Sequence, residues 1–327
     1  MNPFAYARAG DMAQAIATVA GDPEAAFLAG GTTLVDLMKE GVETHHMVVD
    51  INALPLGEVT ADRDGVHVGA MVRNSDLGRH PLIRDRYPML AEAMLAGASG
   101  QLRNMATVGG NLMQRTRCPY FRDLATPCNK RVPNSGCSAM EGYNRGHAVL
   151  GTSDACIATH PSDMAVALVA LDAVVRMSGP QGERRVPIGD FHRLPGKSPH
   201  LETALEHGEL ITGIDLPDVP VAAHSRYLKV RDRASYEFAL ASAAVALRVE
   251  DGRVKEARIA LGGIATKPWR AAAAEQNLIG QPPDEDSFRR VAHVALAGAQ
   301  PRQYNAFKVG LAKRTIVSAL TQVVRLG

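Results

Sequence analysis

All four cysteines of the chain, Cys118, Cys128, Cys137 and Cys156, crowd into one short region. Residues 115–151 show almost no hydrophobic periodicity and carry Pro119, Pro127, Pro133, Gly136 and Gly142. A compact domain seldom keeps so long an irregular stretch unless it is functional or pinned from within. The cysteines are the obvious pins. Their separations match neither a zinc ribbon nor the compact ferredoxin run. Ligands borne on a loop tolerate irregular spacing, because the group they hold orders the loop. Two disulfides, or unrelated free thiols, are the alternatives, and disulfides are disfavoured in a large chain without an export signal of its own. Spacing points to a four-cysteine metal or cluster site and does not choose the metal. Six basic residues accompany it (Arg115, Arg117, Arg122, Lys130, Arg131 and Arg145) against Asp123, Glu141 and Asp154.

Composition excludes several function classes. Hydrophobic residues are 46% and charged residues 21% of 327, so the chain is not disordered. A net charge of +2 without a long basic run offers no footprint for nucleic acid or an anionic membrane. The longest apolar run, 164–171, ends at Asp172, far short of the roughly 20 residues needed for membrane insertion. The N-terminus lacks a basic segment followed by an apolar one, so no signal peptide of its own is expected.

The pattern of apolar residues places a helix at 12–20 and a strand at 26–29, which runs into Gly30-Gly31. A short helix carrying Leu34, Leu37 and Met38 and a strand at 47–51 complete a small parallel unit, a setting that puts ligands at strand ends. A hairpin at 59–72, turning at Asp64-Gly65, and a helix at 89–96 follow. Beyond the cysteines, Pro161-Ser162-Asp163 starts a helix with capping residues, and 174–177 is a strand. From about 225 the order is strand 227–230, helix or strand 238–247, strand 257–261, then helices near 271–279, 288–297 and 307–324. A boundary falls near 220. It separates a part comprising about 1–55 and about 56–220 from residues 221–327, with the cysteine loop spanning about 115–157.

Two glycine loops carry the candidate binding chemistry: Ala29-Gly30-Gly31-Thr32-Thr33 and Ala106-Thr107-Val108-Gly109-Gly110-Asn111. Paired glycines let backbone N–H groups approach an anion such as a pyrophosphate. Neither loop is a Rossmann or P-loop signature, and ordinary tight turns are the alternative. Lys229, Arg231 and Arg233 alternate onto one face, either solvated or walling a bound anion. His45-His46 reads as exposed. No hydrolase motif is present, so a cofactor is expected to do the chemistry.

Taken together these motifs resemble the flavin-binding subunits of the molybdenum hydroxylases, the family of xanthine dehydrogenases, aldehyde oxidoreductases and carbon monoxide dehydrogenases. The resemblance rests on Phe27-Leu28-Ala29-Gly30-Gly31-Thr32, on Asp36-Leu37-Met38-Lys39, and on Arg103-Asn104-Met105-Ala106-Thr107-Val108-Gly109-Gly110-Asn111-Leu112. It continues through Pro161-Ser162-Asp163, Glu209-Leu210-Ile211 and Lys229-Val230-Arg231. The cysteine loop is similar to that of the flavin subunit of bacterial periplasmic aldehyde oxidoreductases, which carries a 4Fe–4S cluster there. A subunit of the 4-hydroxybenzoyl-CoA reductase type is the nearest rival. A free-standing FAD oxidoreductase and a flavin-free zinc module are the readings from other classes.

The resemblance implies an α+β chain: a two-part FAD-binding fold of the vanillyl-alcohol oxidase type plus a small α+β C-terminal domain, its sheet flanked by helices. It implies that Ala29, Gly30, Gly31, Thr32 and Thr33, with Thr107, Gly109, Gly110 and Asn111, cradle the FAD pyrophosphate. Asp163 and Ser162 would meet the ribityl hydroxyls, Leu210 and Ile211 would pack on the flavin or adenine, and Lys229 would lie by the isoalloxazine ring, favouring its reduced anionic form. Cys118, Cys128, Cys137 and Cys156 would ligate the 4Fe–4S cluster, with Arg117 and Lys130 raising its potential. No residue of this chain would be catalytic in its own right. A large subunit with a molybdenum cofactor would oxidise an aldehyde to a carboxylate, with water as the oxygen source. A small subunit with 2Fe–2S clusters would deliver the electrons here, for passage to an acceptor. The heterotrimer would be periplasmic by co-export with a signal-bearing partner, and otherwise cytoplasmic.

Overall fold

The computed structural model describes residues 1–326. The chain begins with three short parallel strands, β1 (Ala5–Arg8), β2 (Ala25–Leu28) and β3 (Met47–Asp50), paired in the order β1-β3-β2. Helix α1 (Met12–Ala20) joins the first two and α2 (Leu34–Glu40) the last two. Strands β2 and β3 and both helices lie where their apolar spacing places them. Strand β1 was not legible, because its residues Ala-Tyr-Ala-Arg have almost no buried face.

A five-stranded antiparallel sheet follows: β4 (Val59–Ala61), β5 (Gly65–Gly69), β6 (Val174–Gly179), β7 (Gly182–Pro187) and β8 (Leu210–Pro217), in the order β4-β5-β8-β6-β7. The β4–β5 hairpin turns at residues 62–64, and Gly65 is required there: a Cβ would lie 2.0 Å from the Leu216 carbonyl oxygen. The main core packs this sheet against the helices Pro88–Ala96 and Asp163–Ala170.

The last sheet is β9 (Ser225–Val230), β10 (Ala241–Glu250), β11 (Arg253–Gly262) and β12 (Trp269–Arg270), all antiparallel. The stretch whose apolar run suits helix or strand is therefore the strand β10. Its ambiguity has a cause: both faces are covered, so no period of two survives in the sequence. Ala243, Val245 and Leu247 face the helices Ala272–Leu278, Glu285–Ala295 and Phe307–Val324, while Ala244 and Ala246 join the main core.

Residues 115–157 hold only one short helix, Pro119–Arg122, and are otherwise turns and isolated bridges, including Cys128 with Cys137. Among the described residues no helix is long and apolar enough to cross a membrane.

Candidate flavin and cysteine sites

The two glycine loops abut. A Cβ on Gly30 would stand 2.0 Å from the Met105 carbonyl oxygen, so only glycine fits. Gly31 takes the left-handed φ of +72° that turns the chain into α2. Two residues that sequence reasoning missed clamp the pair: the Arg73 guanidinium donates to Met105 O (2.5 Å) and to Asn52 Oδ1 (3.0 Å), and Asn52 Nδ2 donates to Ala29 O (3.0 Å).

The loops differ in what they offer a ligand. Among the described residues no acceptor in the chain meets the backbone N–H groups of Gly30, Gly31, Thr32 or Thr33. The second loop has used most of its own: Gly109 donates to Ala70 O (2.8 Å), Gly110 to Thr107 Oγ1 (3.2 Å) and Asn111 to Thr107 O (2.8 Å), and among the described residues only the Thr107 N–H meets no acceptor there. Thr107 caps the short helix Val108–Leu112 in doing so. The first loop thus presents four unmet backbone donors and the second presents one. The second lines the site with glycines and the Asn111 side chain, whose Oδ1 accepts from Ser162 (2.7 Å) and Gln114 (2.5 Å), leaving its NH2 for a ligand.

Two cavities flank these loops and share Gly31, Thr32, Thr33, Gly110 and Gln114 on their walls. One, of about 520 Å³, is also lined by Ala29, Gly30, Thr107, Gly109, Leu210 and Ile211. The other, of about 560 Å³, is lined by Asn111, Asp163 and Lys229. A ligand with its phosphates at the loops and a ring system at each end fits this arrangement. Ser162 lines neither cavity: its hydroxyl donates to Asn111 and accepts from the Ala165 N–H, so it acts through Asn111.

Asp163 and Lys229 form a buried ion pair, Nζ to Oδ2 2.7 Å, with side chains 8% and 3% exposed. Tyr227 donates to the other carboxylate oxygen at 2.5 Å. Burial, with Asp163 beside it, pushes that phenol well above its ordinary pKa, so it remains a donor. Lys229 and Arg231 both also donate to Ala96 O. Lys229 is therefore neither solvated nor a lone cation; the pair as a whole faces the cavity.

The first cavity also holds a histidine pair that no local sequence pattern marks. His160 and His192 meet edge to face at 4.4 Å, and both line it. His192 Nε2 donates to Leu112 O (3.0 Å), leaving its Nδ1 an acceptor without a partner; His160 Nδ1 accepts from the Ser162 N–H (3.3 Å), leaving Nε2 a donor without one. Orphaned buried polar atoms on a cavity wall suit a polar ligand. His45 also lines this cavity, hydrogen-bonded to Glu43, while only His46 is exposed as expected.

The four cysteines are free thiols; Cys128 and Cys137 share a β-bridge, and Cys118 and Cys156 stand near enough to the others to feel their charge. Burial pushes Cys118 up to about 12 and Cys156 up to about 11; Cys128 adds to both, Cys156 to the first and Cys137 to the second. Thiols so placed surrender their protons to a group that brings positive charge, which is the donor chemistry of an iron–sulfur cluster. Cys156 Sγ accepts from the Ala158 N–H at 3.4 Å. Among the described residues no three His, Cys, Asp or Glu side chains converge on a single metal-ion position.

Five of the loop's six basic residues have acidic partners, Arg145 with Asp232 among them, while Arg131 donates to the Tyr120, Phe121 and Thr126 carbonyls. Arg115 pairs with Glu43 (2.9 Å) and Glu202 (2.7 Å), Lys130 with Glu202 (3.0 Å), Arg117 with Asp36 (3.0 Å), and Arg122 with Asp36 and Glu40. Arg117 and Lys130 were expected to bias a cluster by their charge. Both are paired with carboxylates, and those pairs fasten the loop to the walls of the two cavities. Phe121 and Cys128 pack on Leu37 of α2 in the same contact.

Residues 2–219 match the FAD binding domain in molybdopterin dehydrogenase, and residues 226–323 match the CO dehydrogenase flavoprotein C-terminal domain. The chain belongs to the FAD-binding subunits of the molybdenum hydroxylases. Within that oxidoreductase family it is 50% identical to the aldehyde oxidoreductase FAD-binding subunit PaoB of Escherichia coli strain K12, over 98% of each chain. It is 29% identical to the glyceraldehyde dehydrogenase medium chain of Sulfolobus acidocaldarius, over 88% of this chain and 85% of that one. Among solved structures, the Cu,Mo-CO dehydrogenase superposes with a TM-score of 0.78 at 25% identity over the full length of both chains. The carbon monoxide dehydrogenase of Hydrogenophaga pseudoflava gives 0.77 at 26%, covering 99% of this chain and 98% of that one.

Proposed function

We propose that this chain is the FAD- and 4Fe–4S-carrying electron-transfer subunit of a heterotrimeric molybdenum-dependent aldehyde oxidoreductase. The observation that supports it best is the pair of cavities meeting at four unmet backbone N–H groups, with a four-thiol loop fastened to the same helix. In this reading Gly30, Gly31, Thr32 and Thr33 bind the pyrophosphate, Asn111 adds its amide, and Thr107, Gly109 and Gly110 shape the opposite wall. Leu210 and Ile211 hold one ring system. Asp163 and Lys229 orient the ligand at the other end, Asp163 through oxygens already fixed by Tyr227 and Lys229. Bound FAD supplies exchange between one-electron and two-electron steps. Cys118, Cys128, Cys137 and Cys156 hold the cluster; a single zinc ion would require them to converge at about 2.3 Å from one point.

Residues 1–220 serve as the FAD-binding part and 221–327 as the C-terminal part. A large molybdenum-cofactor subunit oxidises the aldehyde, and a small 2Fe–2S subunit links it to this chain. A periplasmic location follows if a partner carries the export signal. Metal and flavin analysis of the native complex tests the proposal. One FAD and about four irons per chain are expected, with molybdenum and 2Fe–2S clusters in co-purifying subunits. Zinc without flavin, or a flavoprotein purified alone, would overturn it.

A further inference from the structure

We propose that His147 is a positioning residue that raises the reduction potential of the cluster through an N–H···S bond to Cys118. The proposal rests on the cluster reading above. His147 Nε2 lies 3.1 Å from Cys118 Sγ, in a residue only 4% exposed. Its Nδ1 meets no partner, so the ring's N–H is best used on Nε2, toward the sulfur. Hydrogen bonds to the sulfurs of an iron–sulfur centre disperse the negative charge that reduction adds, and so favour the reduced state.

The backbone that carries His147 is tied down by buried side chains. Asn305 Nδ2 donates to His147 O (3.3 Å) and Ala148 O (3.1 Å). Lys308 Nζ donates to Gly146 O (3.0 Å) and His147 O (3.1 Å). Asn305 and Lys308 are fully buried, and the Tyr304 N–H donates to Asn144 Oδ1 (3.1 Å) just upstream. The C-terminal part thus builds a rigid seat for one imidazole against one cysteine. Nothing comparable holds for the loop's own Arg117 and Lys130, which are paired with carboxylates.

The test is an EPR-monitored redox titration of the purified holo-complex, with iron counted in each variant. His147→Leu is expected to keep four irons and to titrate at lower potential than the parent. His147→Gln, which restores an N–H, is expected to recover part of the shift. An unchanged midpoint in His147→Leu at full iron overturns the assignment, as does an equal fall in the Leu and Gln variants. Should His147→Leu lose its iron, Asn305→Ala, which loosens the seat without altering the ring, takes its place under the same criterion. A parent protein that holds FAD but no iron overturns the cluster reading itself. That outcome is distinct from iron that is present and does not shift.

Discussion

Gly30 presses against the Met105 carbonyl, and this single contact sets how closely the two glycine loops approach. Gly30→Ala must push them apart, at the roughly 1–3 kcal/mol that overpacking costs. About 10-fold to 100-fold weaker FAD binding is expected, read from flavin fluorescence on titration; unaltered affinity would show that the loops do not act together. Asp163 and Lys229 make the complementary case. Removing one partner of a buried ion pair leaves an uncompensated charge, which costs about 3–5 kcal/mol, whereas removing both costs less. In urea unfolding, Asp163→Asn and Lys229→Met should each destabilise more than the double variant, and simple additivity would argue against the pair. At this scale the glycines were legible as a loop, because a missing Cβ is visible in any sequence. Arg73, Asn52 and His192 were not, because their partners lie tens of residues away and no local pattern marks them.

At the scale of elements, the pair His160 and His192 ties the short helix Val108–Leu112 to the rest of the first cavity's wall. Burial pulls His192 down to about 4, and burial with His192 nearby pulls His160 well below its ordinary value. A histidine whose folded pKa is depressed contributes stability that is fully present above about pH 6.5. That stability is lost as pH falls through the folded value. For His192 it amounts to about 3 kcal/mol. Melting temperature should therefore fall steeply between pH 6.5 and 4, and His192→Gln should flatten the profile. An equally steep profile in the variant would place the acid sensitivity elsewhere. Strand β10 shows the corresponding limit of sequence reading: its alternation disappears because helices cover both faces, and only the packed structure distinguishes its two sides.

Across the whole molecule, the cysteine loop joins bodies that are distant in sequence. Its ion pairs reach α2 and Glu202, and its far end is held by Asn305 and Lys308. Removing iron from the holoprotein with a chelator should expose residues 115–157 to limited proteolysis first, with the three sheets persisting; cleavage spread evenly over the chain would contradict this. Arg122→Gln, which breaks two of the fastenings, should hasten that cleavage several-fold in the iron-depleted protein. By itself the sequence determined the family, the glycine loops, the four thiols and most strands and helices, because each is written in local spacing or in a motif. Only the tertiary structure decided which loop keeps most of its N–H donors free, that Lys229 is matched by Asp163, and that most of the loop's cations are paired with carboxylates. Those properties depend on which partner stands three ångströms away, and chain folding sets that distance.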